Sequence, residues 1–209
     1  MRYVIGFGTG RSGTVSLAKL LNDCKNVNVS HEFRDRGVYH RLSWKFKQNE
    51  AKERLDNLRK LEGKLVGDVA HYYLNYIDYF VEKLETDIKF VLLGRDAEET
   101  VKSFMKKSRG FNHWMSPHTK VFKDGKYRHI DWDRTFPKYN DATSKRQAIS
   151  FYVNHYYIRC MGLIGLYPKR IFLLDIKEIN NKKKQKELFD FLEIPEEDRV
   201  YQRIWENKS

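Results

Sequence analysis

The segment Gly8-Thr9-Gly10-Arg11-Ser12-Gly13-Thr14 constrains this chain more than any other. Before it lies a short apolar run, Tyr3 to Phe7. After it, from Ser12 to Cys24, Val15, Ala18 and Leu21 recur with Leu17 and Leu20 beside them, as on the buried face of a helix. A strand that turns through glycines into a helix brings free backbone N–H groups and the positive end of the helix dipole to one place. That place attracts an anion, and a phosphate-like group is its natural guest.

The same alternation continues. Val27 to Phe33 is β-branched and alternating, and residues 47–61 form a polar helix with Ala51, Leu55, Leu58 and Leu61 on one stripe. Lys64 to Ala70 is a third strand, and Leu74, Ile77, Val81 and Leu84 mark the helix after it. Ile88 to Asp96 is a continuous apolar run that suits a parallel strand covered on both faces. A helix over 97–108 starts with acids and ends with lysines, as the helix dipole favours. A long helix over 144–166, a strand over 170–176 and a helix over 182–194 complete an α/β pattern of about five strands. At 209 residues the length fits one domain spanning 1–209. Residues 110–143 break the rhythm, with His, Trp, Tyr, Pro and Lys in place of a period. Within them Val121 to Ile130 reads as a hairpin turning at Asp124-Gly125. This excursion is expected to be a lid or to bind an acceptor, or else to be a surface loop.

Forty Lys and Arg against 28 Asp and Glu give a net charge of +12, which favours anionic partners without choosing among them. No apolar run is long enough to span a bilayer. Cys24 and Cys160 stand far apart, so neither a disulfide framework nor a zinc site is indicated. No histidine pair has metal-ligand spacing, and no metal is expected. These features point to a cytoplasmic, reducing environment.

Two familiar anion loops fit poorly or in part. Aligning Gly8 and Gly13 with GxxxxGK[ST] puts Thr14 where the lysine belongs and Val15 where the magnesium-binding hydroxyl belongs. An Mg-dependent nucleotide triphosphatase is therefore disfavoured. Gly8, Gly10 and Gly13 do satisfy GxGxxG, and Glu32 falls where a ribose-binding acid would lie, so a Rossmann-type dinucleotide oxidoreductase stays open. Against it, Arg11, Ser12, Thr14 and Ser16 bring more charge and hydroxyls than a backbone-bound pyrophosphate needs.

GTGRSGT closely resembles the phosphosulfate-binding loop of sulfotransferases that use 3′-phosphoadenosine 5′-phosphosulfate (PAPS). A cation inside the loop can take the charge-stabilising place that magnesium holds in kinases. That family has a second signature, an Arg and a Ser eight residues apart where a later strand meets its helix, and Arg95 and Ser103 have that spacing here. The segments around Gly67 to Phe80, Phe151 to Tyr157 and Leu173 to Pro195 resemble bacterial sulfotransferase domains. The resemblance implies a three-layer α/β/α, P-loop-NTPase-like fold, with PAPS as co-substrate and adenosine 3′,5′-bisphosphate (PAP) as product. It implies that Gly10, Arg11, Ser12, Gly13, Thr14, Val15 and Ser16 hold the 5′-phosphosulfate, and that Arg95 and Ser103 hold the 3′-phosphate. The late Arg-Lys-Gly motif of cytosolic members is absent; Lys182 to Lys184, or Lys106, Lys107 and Arg109, are its candidate substitutes.

Sulfuryl transfer to a hydroxyl needs a general base. With Arg in the loop and Glu32 twenty-one residues later, the chain resembles the tyrosylprotein and bacterial branch, whose base is a glutamate. Arg11 and Glu32 are thus the expected catalytic residues. The alternative for Glu32 is an N-cap or a surface acid paired with Arg34 or Arg36. His31 is expected to face away from Glu32 if the strand persists. His31, His71, His113 and Trp114 are candidate acceptor contacts, with His118 and His129 beside them in the excursion. The expected acceptor is a carbohydrate hydroxyl, followed by a peptide tyrosine or a small molecule. A basic module for single-stranded nucleic acid is the competing class, but it would leave both phosphate motifs unused, so no nucleic acid is expected. A nucleotide-binding domain without catalysis is the remaining reading.

Overall fold

Alternation along the first strand sets the layers. In a computed structural model, which describes residues 1–35, 38–108, 111–115, 121–123, 126–128 and 132–204, Tyr3, Ile5 and Phe7 enter one apolar cluster and Val4 enters another. Side chains at alternate positions of a strand point to opposite faces, so each face needs its own helical cover. In chain order the strands are β1 (Arg2–Phe7), β2 (Val27–His31), β3 (Arg34–Asp35), β4 (Val38–Tyr39), β5 (Leu65–Val69), β6 (Ile88–Gly94), β7 (Val121–Lys123), β8 (Lys126–Arg128) and β9 (Ile171–Asp175). The α-helices are α1 (Thr14–Asn22), α2 (Gln48–Leu58), α3 (Ile77–Leu84), α4 (Ala97–Ser108), α5 (Trp132–Thr135), α6 (Lys145–Leu166) and α7 (Lys182–Phe191).

Five strands form one parallel sheet in the order β2-β5-β1-β6-β9. Leu17, Leu20 and Leu21 of α1 and Leu188 and Phe189 of α7 cover one face. Leu55 of α2, Phe80 of α3, Phe104 of α4 and Tyr152 of α6 cover the other. The chain leaves β1 for the far side of β5, whereas from β6 it moves outward to β9. Connections that part in opposite directions open a crevice at the carboxyl ends of the neighbouring strands, here β1 and β6. The order also separates this sheet from the dinucleotide fold, in which the second strand lies directly against the first. Here β5 stands between β1 and β2, so Glu32 does not hold the ribose-binding position that a GxGxxG reading would give it.

Local sequence explains most boundaries. Asp96 Oδ1 accepts from Glu99 N (2.8 Å) at the start of α4. Ser144 Oγ accepts from Gln147 N at the start of α6, while the Gln147 side chain accepts from Thr143 N (2.6 Å), a close variant of a capping box. The helix expected from Leu74 to Leu84 is split into a 3₁₀ turn (His71–Asn75) and α3. Tyr72, Tyr73, Leu74 and Tyr76 are all buried, which one amphipathic face cannot accommodate.

Strands β7 and β8 pair antiparallel, as the hairpin reading of Val121 to Ile130 requires. Their turn at Asp124-Gly125, together with His118, His129, Arg36 and Arg109, lies outside the described residues. Part of the described remainder of the excursion packs inward. Trp114 and Phe136 are buried against Phe104 and Tyr152, with ring centroids 4.8 to 6.3 Å apart. No helix among the described residues is long and apolar enough to cross a membrane.

Candidate active site

The glycine loop reaches α1 through left-handed backbone. Gly10, Arg11 and Gly13 have φ of 74°, 56° and 95°. At Gly13 a Cβ would also lie 2.0 Å from Ile176 Cδ1, so glycine is required twice over. Gly13 is the N-cap of α1 and offers no side-chain cap, and the first helical bond runs from Leu17 N to Gly13 O. The N–H groups of Thr14, Val15 and Ser16 therefore precede any helical partner, as at an anion-binding helix start. Ser12 Oγ is buried and has no hydrogen-bond partner among the described residues.

The two sequence motifs meet. Arg11 Nε donates to Ser103 Oγ (3.1 Å), and Arg95 Nη1 donates to the Arg11 carbonyl (2.7 Å). Residues 84 and 92 positions apart thus share one site at the ends of β1 and β6. Burial, and after it the Arg95 charge, push the Arg11 guanidinium below its ordinary pKa. Two cations facing one crevice repel each other until an anion enters it.

Three tyrosines of α6 brace this arrangement. Tyr152 donates to Thr9 O (2.6 Å) in the loop, and Tyr156 donates to His71 O (2.9 Å). Tyr157 accepts from Arg95 N and donates to Arg95 O, each at 3.0 Å.

Strand β2 stops at His31, and Glu32 follows it, its N–H donating to the Val69 carbonyl at the end of β5 (3.2 Å). Glu32 has φ 54°, so the strict alternation expected of His31 and Glu32 does not continue. The carboxylate is largely buried and is not a surface acid. It is 13% exposed and bonds Arg41 Nε at 2.7 Å, while the Arg41 guanidinium lies 4.3 Å from the Tyr39 ring. Burial alone would raise the Glu32 pKa; His71, Arg41 and His31 outweigh it and hold the group below its ordinary value. His31 Nε2 lies 3.1 Å from Thr14 Oγ1, tying the end of β2 to the start of α1, and burial lowers its pKa.

His71 is fully enclosed, stacked on Phe136 at 4.3 Å with Nε2 2.9 Å from the Thr135 carbonyl. A carbonyl only accepts, so Nε2 carries the proton. Burial brings the His71 pKa down to about 4, leaving a neutral ring with a lone pair at Nδ1. His113 is buried too, with Nδ1 3.0 Å from Asp133 Oδ1, and Trp114 is 0% exposed. Of the four candidate acceptor contacts, His113 and Trp114 are thus packed within the excursion, and Trp114 presents no exposed face.

Sequence reasoning passed over the network beneath Glu32. Asp68, in the middle of β5, accepts from Ser30 Oγ (2.8 Å), Phe33 N (3.0 Å), Tyr73 OH (2.7 Å) and Arg54 Nη1 (2.9 Å). The side chains of Arg54 and Asp68 are 1% and 0% exposed. By holding Phe33 N, this buried pair fixes the residue after Glu32. An aspartate inside an apolar strand was the available signal, because a buried charge needs a partner.

A comparison with protein-family models finds no match, and neither does one with curated proteins. Among solved structures, a sulfotransferase from Alicyclobacillus acidocaldarius superposes with a TM-score of 0.59 at 11% identity, covering 97% of this chain and 84% of the other. The chain shares its fold with a bacterial sulfotransferase. A thymidylate kinase from Candida albicans aligns over 98% of this chain and 96% of its own, at 13% identity and a TM-score of 0.46.

Proposed function

We propose that the protein is a PAPS-dependent sulfotransferase of the branch with Arg in the phosphosulfate loop and a Glu base, acting on a carbohydrate hydroxyl. The observation that carries this reading is the convergence of Arg11, Arg95 and Ser103, two guanidiniums and a hydroxyl at one uncapped helix start. The orphaned Ser12 hydroxyl beside them fits an anionic guest. When bound, PAPS supplies a sulfuryl group already activated on a phosphate leaving group. The amides of Gly13 to Ser16, with Ser12 and Thr14, hold its 5′-phosphate, and Gly10 gives the loop its turn. Arg95 and Ser103 hold the 3′-phosphate. Arg11 balances the charge that grows on the transferring group. Glu32 takes the proton from the acceptor hydroxyl, and Arg41 fixes the carboxylate and keeps it ionised. Arg54 and Asp68 are positioning residues for that carboxylate.

A carbohydrate acceptor is supported by a cleft of about 230 Å³ next to this pair. Arg41 itself, His40, Glu50, Glu53, Asn57 and Arg134 line it, so its walls offer hydrogen-bonding groups. Titration calorimetry with PAP, beside AMP, NADH and Mg-ATP, tests the nucleotide; transfer of labelled sulfuryl from PAPS to saccharide, tyrosyl and phenolic acceptors tests the reaction. PAP should bind in preference to the other three. Arg11→Met should slow transfer by about 10²–10³, and Glu32→Gln by about 10²–10⁴, with PAP affinity largely kept in the latter. Full turnover in Glu32→Gln would remove Glu32 as base, and preference for NADH would refute the assignment.

A further inference from the structure

The spacing of the second motif conceals a third residue. Arg95, Glu99 and Ser103 are four positions apart in turn, so at 3.6 residues per turn they follow one side of the start of α4. Glu99 therefore stands between the two groups assigned to the 3′-phosphate. Its carboxylate lies 3.5 Å from Arg95 Nε and 3.7 Å from Lys177 Nζ, bridging a cation at the end of β6 to one just past β9. Glu98, one position earlier, instead faces Lys102 and Arg146. Arg95 Nε is buried and has no hydrogen-bond partner among the described residues; at 3.5 Å the Glu99 contact is an ion pair without a directed bond. The turn that carries Lys177 is pressed onto the glycine loop, since Ile176 fills the space where a Gly13 side chain would lie. Lys177 N donates to Asp175 Oδ1 (2.8 Å), which fixes that turn.

We propose that Lys177 is the second cation of the 3′-phosphate site, and that Glu99 is the carboxylate that occupies the phosphate's place until the nucleotide arrives. This rests on the PAPS reading above and answers what stands in for the missing late Arg-Lys-Gly motif. A phosphate between Arg95 and Lys177 exchanges two long carboxylate contacts for a doubly charged group with more acceptors. The residue therefore selects PAP over AMP, which differ only in the 3′-phosphate. The lysines at 182–184 lie in the first turn of α7, where Lys184 pairs with Glu187 (2.9 Å). Lys107 continues the Arg95-Glu99-Ser103 side by one more step and is the natural comparison.

The test is calorimetric titration of the full chain and its Lys177→Ala, Glu99→Gln and Lys107→Ala variants with PAP and with AMP. Lys177 is 65% exposed, so its removal leaves folding intact. Lys177→Ala should weaken PAP about tenfold, the worth of one charged hydrogen bond, and leave AMP within about twofold. Glu99→Gln should tighten PAP about threefold by removing the competing charge, with AMP unchanged. Equal weakening of both nucleotides, no weakening of either, or the loss of PAP preference in Lys107→Ala instead would overturn the assignment of Lys177. A native chain that binds PAP no better than AMP would overturn the 3′-phosphate reading as a whole, a result separate from the preceding ones.

Discussion

Acidification from pH 7 to pH 5 should weaken this fold through His71. The ring is enclosed by Phe136, Tyr72 and the Thr135 carbonyl, and burial brings its pKa from 6.5 down to about 4. Nearby charges act in both directions: Glu32 favours the proton, while Arg41 and His31 oppose it, and desolvation outweighs them all. Because the folded state holds the ring neutral, the unfolded chain takes up the extra proton as pH falls through 6.5. The contribution is complete above that value and is lost on the way down to about 4. A difference of 2.5 units at 1.36 kcal/mol each amounts to about 3 kcal/mol, of which about 2 is lost by pH 5. Urea unfolding of the native chain and of His71→Gln, which cannot charge, isolates the effect. His31 and His113, whose pKa values burial also lowers, titrate in both proteins and cancel in the difference. The stability advantage of the native chain should shrink by about 2 kcal/mol between pH 7 and 5. A difference that stays constant over that range would refute the placement of a neutral His71.

The other predictions concern the frame of the site. Arg54→Leu leaves Asp68 charged and buried inside β5, and should cost about 3–5 kcal/mol in urea unfolding; Arg54→Leu with Asp68→Leu should recover much of that. A single variant as stable as the native chain would show that the pair does not brace the strand. Gly13→Ala should abolish PAP binding in calorimetry, and adding Ile176→Ala should restore it only in part, because the left-handed φ alone still costs about 1–2 kcal/mol. Trp114→Ala should lower stability by about 3–5 kcal/mol by emptying the centre of an aromatic cluster; thermal unfolding reads this directly. Arg41→Met removes a cation that helps keep Glu32 ionised, so the Glu32 pKa should rise. The acid limb of the pH–rate profile for sulfuryl transfer should then move to higher pH, and an unmoved limb would separate Glu32 from the proton transfer.

Much of this molecule was legible in one dimension. Local propensity placed the elements: the apolar runs at residues 3–7 and 88–96 carry the strands Arg2–Phe7 and Ile88–Gly94, and the acid-to-lysine gradient of 97–108 became a helix with those bounds. Glycine placement and the Arg-to-Ser spacing marked the candidate anion site because such chemistry depends on a few residues at fixed intervals along one turn. Contacts between distant segments had no such local signature. Nothing near Glu32 in the sequence announces that Arg41 bonds its carboxylate, or that Arg54 reaches across from α2 to Asp68. Nor does the aromatic text of the excursion reveal that Trp114 and Phe136 pack into the core, since exposed and buried aromatics read alike. Strand order was likewise beyond the sequence pattern, as the same alternation of strands and helices suits more than one order of a parallel sheet. Packing decided it by inserting β5 between β1 and β2, and that insertion sets the end of β2, with Glu32, one strand away from the glycine loop. The sequence by itself determined which groups can meet an anion; the tertiary structure decided which of them face one another, because burial and charge pairing are settled only when distant strands lie side by side.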